Sequence, residues 1–186
     1  MSERRKPTAD QLRAANGKRV PDIIAPNLKV LFCGINPGLY SAAVGHHFAR
    51  PGNRFWPALH LGGFTPRVLT GYEEAELLAA GYGITNVVDR ATAGADELSA
   101  EELREGGKRL RKKILKYRPG VLAVLGVGAY REAFGNKEAT VGRQEEKVGA
   151  TRLWVLPNPS GLNAHYQLAD LGKLFGELRA AVNEAR

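Results

Sequence analysis

Four short apolar runs, each closing on a turn or a polar group, constrain this chain more than anything else in its sequence. They are Leu28 to Cys33, Ile84 to Val88, Val121 to Leu125 and Leu153 to Leu156. Their Val, Ile and Leu content is that of strands buried on both faces. Helix-like segments alternate with them: Asn53 to Leu61, Tyr72 to Ala80, Ser99 to Tyr117, Val127 to Phe134, and a last one from Gln167 to Val182. Ser99 opens the third as an N-cap, with Glu102 placed to complete a capping box. Alternating strands and helices predict an α/β fold, a central four-stranded parallel sheet flanked by helices and joined by right-handed crossovers. Val141 to Val148, followed by Gly149-Ala150, reads as a hairpin feeding the last strand. Open parallel sheets bind ligands beyond the carboxyl ends of their strands. The residues to inspect are therefore Gly34 to Gly38, Asp89-Arg90, Gly126-Val127-Gly128 and Pro157 to Gly161.

At 186 residues the chain suits one domain, and with 44% hydrophobic and 25% charged residues it reads as globular. The single cysteine, Cys33, offers no partner for a disulfide, a zinc site or an iron-sulfur cluster, as expected in a reducing cytoplasm. No apolar stretch approaches the ~20 residues that span a bilayer, so no membrane association is expected. The net charge of +8 makes a polyanion the first partner to consider. Half of that charge lies in residues 1–20, where Arg4, Arg5, Lys6, Arg13, Lys18 and Arg19 face only Glu3 and Asp10. Residues 1–19 read as a flexible basic tail ahead of one domain over 20–186. A second basic run, Lys108 to Arg118, lies largely on the third helix-like segment and reads either as a solvated helix face or as a source of phosphate contacts.

Two loops carry the chemistry. In Gly34-Ile35-Asn36-Pro37-Gly38, Pro37 fixes the backbone and the glycines admit a ligand close to it, so Asn36 is held in one orientation. Its amide can bond a base edge or position water, although an Asn-Pro turn can also simply close a strand. Asn158-Pro159-Ser160-Gly161 is a second stiff turn, and Leu162 after it either packs or projects as the kind of apolar side chain that fills a duplex when a nucleotide is extruded.

Together with Phe48 and Asn53-Arg54-Phe55-Trp56, these two loops resemble the mismatch-specific uracil-DNA glycosylases and their relatives, the thymine-DNA glycosylases. The likeness runs from about Val20 to the last helix and includes Val87-Val88-Asp89-Arg90 and Trp154-Val155-Leu156-Pro157. It implies a pocket for an everted base, in double-stranded DNA carrying uracil mispairs, in an enzyme that acts as a monomer without a cofactor. In that pocket Phe48 would stack on uracil, a residue that otherwise reads as plain core. The resemblance further implies that Asn36 positions the attacking water, that Gly38 and Ser41 line the pocket, and that backbone amides near Ile35 and Phe48 read the pyrimidine edge. Asn158 would lie beside the extruded nucleotide, and Ser160, Gly161, Leu162 and Asn163 would meet DNA, with Leu162 as the wedge. The chain departs from its relatives at His46-His47, where they often carry an apolar residue and proline, and at Asn163-Ala164, where a relative places an arginine facing the widowed guanine.

A neutral amide orients water but is a poor base, so an assisting carboxylate is worth seeking. Asp89 follows the second strand at the same sheet end as both loops and is the candidate; it can equally pair with Arg90 or cap its loop. Asp96 and Glu97 are farther along. No metal-ligand cluster accompanies His46-His47, so no metal is expected. Two other readings stand beside the glycosylase: a non-catalytic nucleic-acid binder, which the charge alone permits, and a nucleotide-cofactor enzyme built on Gly126-Val127-Gly128. The latter lacks its third glycine, since Arg131 stands there.

Overall fold

The computed structural model describes residues 5–184. Five strands form its sheet: β1 Val30–Gly34, β2 Tyr82–Asn86, β3 Val121–Leu125, β4 Gly142–Val148 and β5 Thr151–Leu156. They stand in the order β2-β1-β3-β5-β4, with the first four mutually parallel and β4 antiparallel to β5. The four expected strands are thus the parallel set. The sheet has five strands because the expected hairpin supplies an edge strand. Gly149, at φ 58, makes the tight return, and the charged residues of Arg143 to Lys147 suit an edge open to water. The second strand begins two residues earlier than its apolar run suggested. Val87 and Val88 nonetheless extend its line, their N–H groups donating to the carbonyls of Gly34 and Ile35.

Side-chain alternation along the strands makes two cores. Val30, Phe32, Val121, Ala123, Leu125, Trp154 and Leu156 pack with the helices α3 (Phe55–Leu61) and α7 (Leu168–Glu184). Leu31, Cys33, Leu122, Val124, Leu153 and Val155 face α5 (Ala100–Tyr117) and α6 (Val127–Phe134). The Ser99–Glu102 capping box at the start of α5 forms as read, with the Glu102 N–H donating to Ser99 Oγ at 3.1 Å and the Ser99 N–H to Glu102 Oε2 at 2.9 Å. Gly106-Gly107 in mid-helix is explained by contact: a Cβ would lie 2.3 Å from the Val87 carbonyl oxygen at the first and 1.9 Å from that of Ala133 at the second.

Of the two basic regions, the N-terminal one sits differently from expectation, and the second forms the solvated helix face that is one of its two readings. Residues 1–4 lie outside the described residues, but the rest of the expected flexible tail is folded. Thr8 caps the helix α1 (Ala9–Ala14) in a reciprocal capping box with Gln11. Ala15 after it is fully buried among Val20, Ala42 and Ala91. The Gly17 N–H donates to the Ala91 carbonyl at 2.8 Å, and the Ala91 N–H returns to Lys18 at 2.8 Å. A charge count cannot reveal one buried alanine. The second basic run points away from the strand carboxyl ends, because α5 travels antiparallel to the strands for 18 residues, about 27 Å. Within it Lys108 pairs with Glu105, Arg111 with Glu146, and Lys113 with Asp22.

Candidate active site

At the carboxyl ends of β1, β2, β3 and β5 lies a cavity of about 370 Å³. Ile35, Asn36, Gly38, Ser41, Phe48, Asn158, Ser160 and Leu162 all line it, so the sheet brings together two loops more than 120 residues apart in sequence. Gly161 and Asn163 belong to the second loop without lining this cavity. Asn163 borders a neighbouring groove with Gly126-Val127-Gly128, Pro157 and His165, which is where the candidate cofactor turn has gone.

The two asparagines are oriented by the chemistry of their partners. Asn36 Nδ2 donates to the Arg90 carbonyl at 2.9 Å and to Thr92 Oγ1 at 2.8 Å. The carbonyl can only accept, so the nitrogen must face it, and the Thr92 hydroxyl is fixed in turn by donating to the Gly94 carbonyl at 2.7 Å. Asn36 therefore presents its oxygen, an acceptor, to the cavity. At Asn158 the situation reverses. The Ser160 N–H donates to Asn158 Oδ1 at 3.0 Å, and a backbone N–H can only donate, so Asn158 has its amide donors left over. One loop offers an acceptor and the other offers donors.

Phe48 has a left-handed backbone, φ 50, uncommon for a residue with a side chain. Its neighbours hold it there. The His47 N–H donates to Glu74 Oε1 at 2.6 Å, Trp56 Nε1 donates to the His47 carbonyl at 3.3 Å, and the Ala49 N–H donates to Ser41 Oγ at 3.2 Å. The Phe48 N–H itself has no hydrogen-bond partner among the described residues. The ring backs onto Phe55, with centroids 4.1 Å apart and planes at 30°. His46-His47, the departure from the relatives' pattern, is thus part of a buried brace. His47 Nε2 lies 2.8 Å from the Pro21 carbonyl and His46 Nδ1 3.5 Å from Glu74 Oε2. Burial lowers the pKa of His47 and favours the neutral ring.

Sequence reasoning missed Asn86, the last residue of β2. It is 6% exposed, lines the cavity, and its side-chain amide has no hydrogen-bond partner among the described residues. A Cβ on Gly34 would fall 2.5 Å from Asn86 Oδ1 and 3.3 Å from the Phe48 ring, so a glycine is required where amide and ring both border the backbone. Its signal was present as an asparagine within an otherwise apolar run ending at the ligand-binding side of the sheet. Arg54 was also missed. It lies behind the second loop, where its guanidinium donates to the carbonyls of Ser160 at 2.6 Å, Asn163 at 2.9 Å and Tyr166. The loop is fixed from beneath while Leu162 stands 80% exposed at the cavity rim.

Asp89 is the site residue the structure moves elsewhere. It does not line the cavity; its carboxylate is 3.8 Å from Arg19 and its side chain is 39% exposed. Arg90, the partner read for it, instead bonds Glu102, whose pKa falls to about 2 in consequence. The backbone explains this. Val88 is still tied to Ile35, so the chain turns outward at Asp89 before Arg90 and Thr92 come back to Asn36. Among the described residues no carboxylate lines the cavity, whose charged side chains are Arg50 and, when protonated, His47.

Residues 21–184 match the uracil DNA glycosylase superfamily. The chain belongs to that superfamily. Both asparagine loops, Phe48 and Asn86 fall inside the matched region, and the mostly parallel sheet is the superfamily's fold. The chain is accordingly a DNA glycosylase, a hydrolase of base excision repair that acts on DNA. The nucleotide-cofactor reading gives way to it.

Proposed function

We propose that this protein is a monofunctional glycosylase that flips uracil out of mispaired duplex DNA and hydrolyses its N-glycosidic bond, leaving an abasic site. The observation that carries the reading is the cavity's fixed polarity. A stacking ring, Phe48, is bordered by the free amide of Asn86, the donors of Asn158 and the acceptor of Asn36. A pyrimidine edge with alternating carbonyls and a ring N–H matches the amide of Asn86, which can donate to one and accept from the other. As the bond between C1′ and the base breaks, its electron pair stays on the pyrimidine, where the Asn158 donors and the free Phe48 N–H reduce the cost of the developing charge. Asn36 Oδ1 accepts a hydrogen bond from a water and aims its oxygen at the electron-poor sugar carbon. As the new C1′–O bond forms, the water's excess proton passes through solvent and the base anion is protonated on release.

Preference for mispairs rests on two features. Chemistry without a carboxylate is slow, so the extruded population limits the rate, and extrusion costs less where pairing is already imperfect. Leu162 suits the gap left behind. No lysine lines the cavity among the described residues, which supports hydrolysis without a covalent imine.

The test is incubation with duplexes bearing uracil opposite guanine or adenine, thymine opposite guanine, and ethenocytosine, followed by alkali. Uracil opposite guanine should give the fastest appearance of alkali-labile sites, with no breaks before alkali. Tight binding with no labile site on any substrate would instead make the protein a non-catalytic binder.

A further inference from the structure

The helix α1 lies ahead of the residues that match the superfamily, yet Leu12 from that helix lines the active-site cavity. It stands with Leu39, Ala93 and Ala95 as an apolar part of the lining. Its position is built in. The Thr8–Gln11 capping box starts the helix, buried Ala15 seats its end against Ala42 and Ala91, and Gly17 and Lys18 pair with Ala91 through both backbone directions. Ala91 lies between Arg90 and Thr92, whose carbonyl and hydroxyl hold the amide of Asn36. One short segment therefore touches the cavity directly and also backs the strand of chain that aims the water-positioning residue.

We propose that the N-terminal helix is a specificity-determining wall of the active site, with Leu12 packing on the extruded nucleotide and the anchorage at Ala91 acting as a positioning device for Asn36. The proposal rests on the glycosylase reading above and adds a part of the site that lies outside the superfamily match. It also separates two roles of the N-terminal region. The cations outside the cavity act on DNA at long range, whereas Leu12 meets the bound nucleotide and buried Ala15 acts through Ala91 on the aim of Asn36.

Single-turnover excision by full-length variants, at saturating enzyme, tests this across uracil, thymine and ethenocytosine duplexes. Leu12→Ala should slow uracil release and shift the ratio of ethenocytosine to uracil excision by about tenfold in favour of the larger base, the scale of a pocket contact of this size. Ala15→Glu, which cannot be seated, should lower the maximal rate on every base while leaving their ratios nearer wild type. Arg13→Gln, which removes an exposed cation paired with Asp10 outside the cavity, should lower DNA affinity and its salt dependence without changing the base ratios, and altered ratios would overturn the separation of the two roles. Leu12→Ala with wild-type rate and base ratios would overturn the wall, independently of whether Ala15→Glu folds. Ala15→Glu, folded by thermal melt, that alters only DNA affinity would overturn the positioning role. A wild-type protein inert on every base would overturn the glycosylase reading, and this proposal with it.

Discussion

The loops that carry Asn36 and Asn158 share an Asn-Pro turn beyond a strand, yet they are held in opposite ways. Asn36 is oriented by groups from a different part of the chain, Arg90 and Thr92, and turns its oxygen to the cavity. Asn158 is oriented by its own turn, through the Ser160 N–H, and the loop as a whole hangs on Arg54. A rigid amide aimed from outside suits a reaction step, where a displacement of about 1 Å can cost about a hundredfold. A loop clamped from below with Leu162 in solvent suits entry into DNA. Similar sequence in the two turns does not imply similar work; the identity of the bonding partner does the sorting.

The contrast breaks most sharply at Asn36. If Asn36 positions the water as proposed, Asn36→Ala should reduce single-turnover uracil release by about 10²- to 10³-fold while DNA affinity stays near wild type. An equal loss in affinity would show that Asn36 holds the nucleotide instead. Arg54→Lys should do the reverse. One ammonium cannot serve three carbonyls in fork geometry, and each buried carbonyl left unpaired costs about 1–3 kcal/mol. Affinity for mispaired duplex and thermal stability should both fall, with the maximal rate at saturating enzyme largely kept. Leu162→Ala is the milder test of the same loop. Its side chain is 80% exposed, so stability should move by less than about 0.5 kcal/mol. Excision from a paired uracil should drop more than from a mispaired one, measured by stopped-flow fluorescence of a base neighbouring the target.

The sheet was legible because buried parallel strands have no choice but to be apolar, and the site because ligands gather where such strands end. Asn36 and Asn158 followed from their places beyond strands together with the family resemblance. Asn86 was hidden inside the apolar run Ile84 to Val88, and the absence of a Cβ on Gly34 leaves the space that its Oδ1 and the Phe48 ring both border. The folded N-terminal helix was hidden by its charge. Its hold on the domain comes from Ala15 and backbone hydrogen bonds, neither of which changes composition or periodicity. Arg54 reads as one more cation until the three carbonyls above it are seen.

The brace behind Phe48 gives the comparison a pH dependence. Burial lowers the folded pKa of His47 below its ordinary value. The unfolded chain therefore takes up the proton first as pH falls, and stability is lost from about pH 6.5 downward until the folded form also protonates. The groups facing His47 are the Pro21 carbonyl, Glu74, Asp22 and His46. His47→Gln should flatten this acid limb in melts between pH 7 and pH 5, although it will also lose some stability at neutral pH through the altered contact with Pro21. A limb unchanged by the substitution would assign it to other groups.

Asp89 offers the smallest expected effect and the strictest test of how the two loops divide the reaction. It leaves β2 at the sheet end where a carboxylate would assist, but the Val88 N–H is bound to Ile35 and the chain has turned Asp89 toward Arg19, 3.8 Å away across a well-solvated surface. An exposed pair at that distance contributes about 0–1 kcal/mol. Asp89→Ala should consequently leave uracil release within about twofold of wild type, a change of less than about 0.5 kcal/mol in the barrier. The small loss expected is in docking the N-terminal segment through Arg19, so Arg19→Gln should reproduce it, and the two substitutions combined should do no more than either alone. A fall with Asp89→Ala comparable to that with Asn36→Ala, and absent in Arg19→Gln, would place the carboxylate at the reacting sugar and make Asn36 a partner to it.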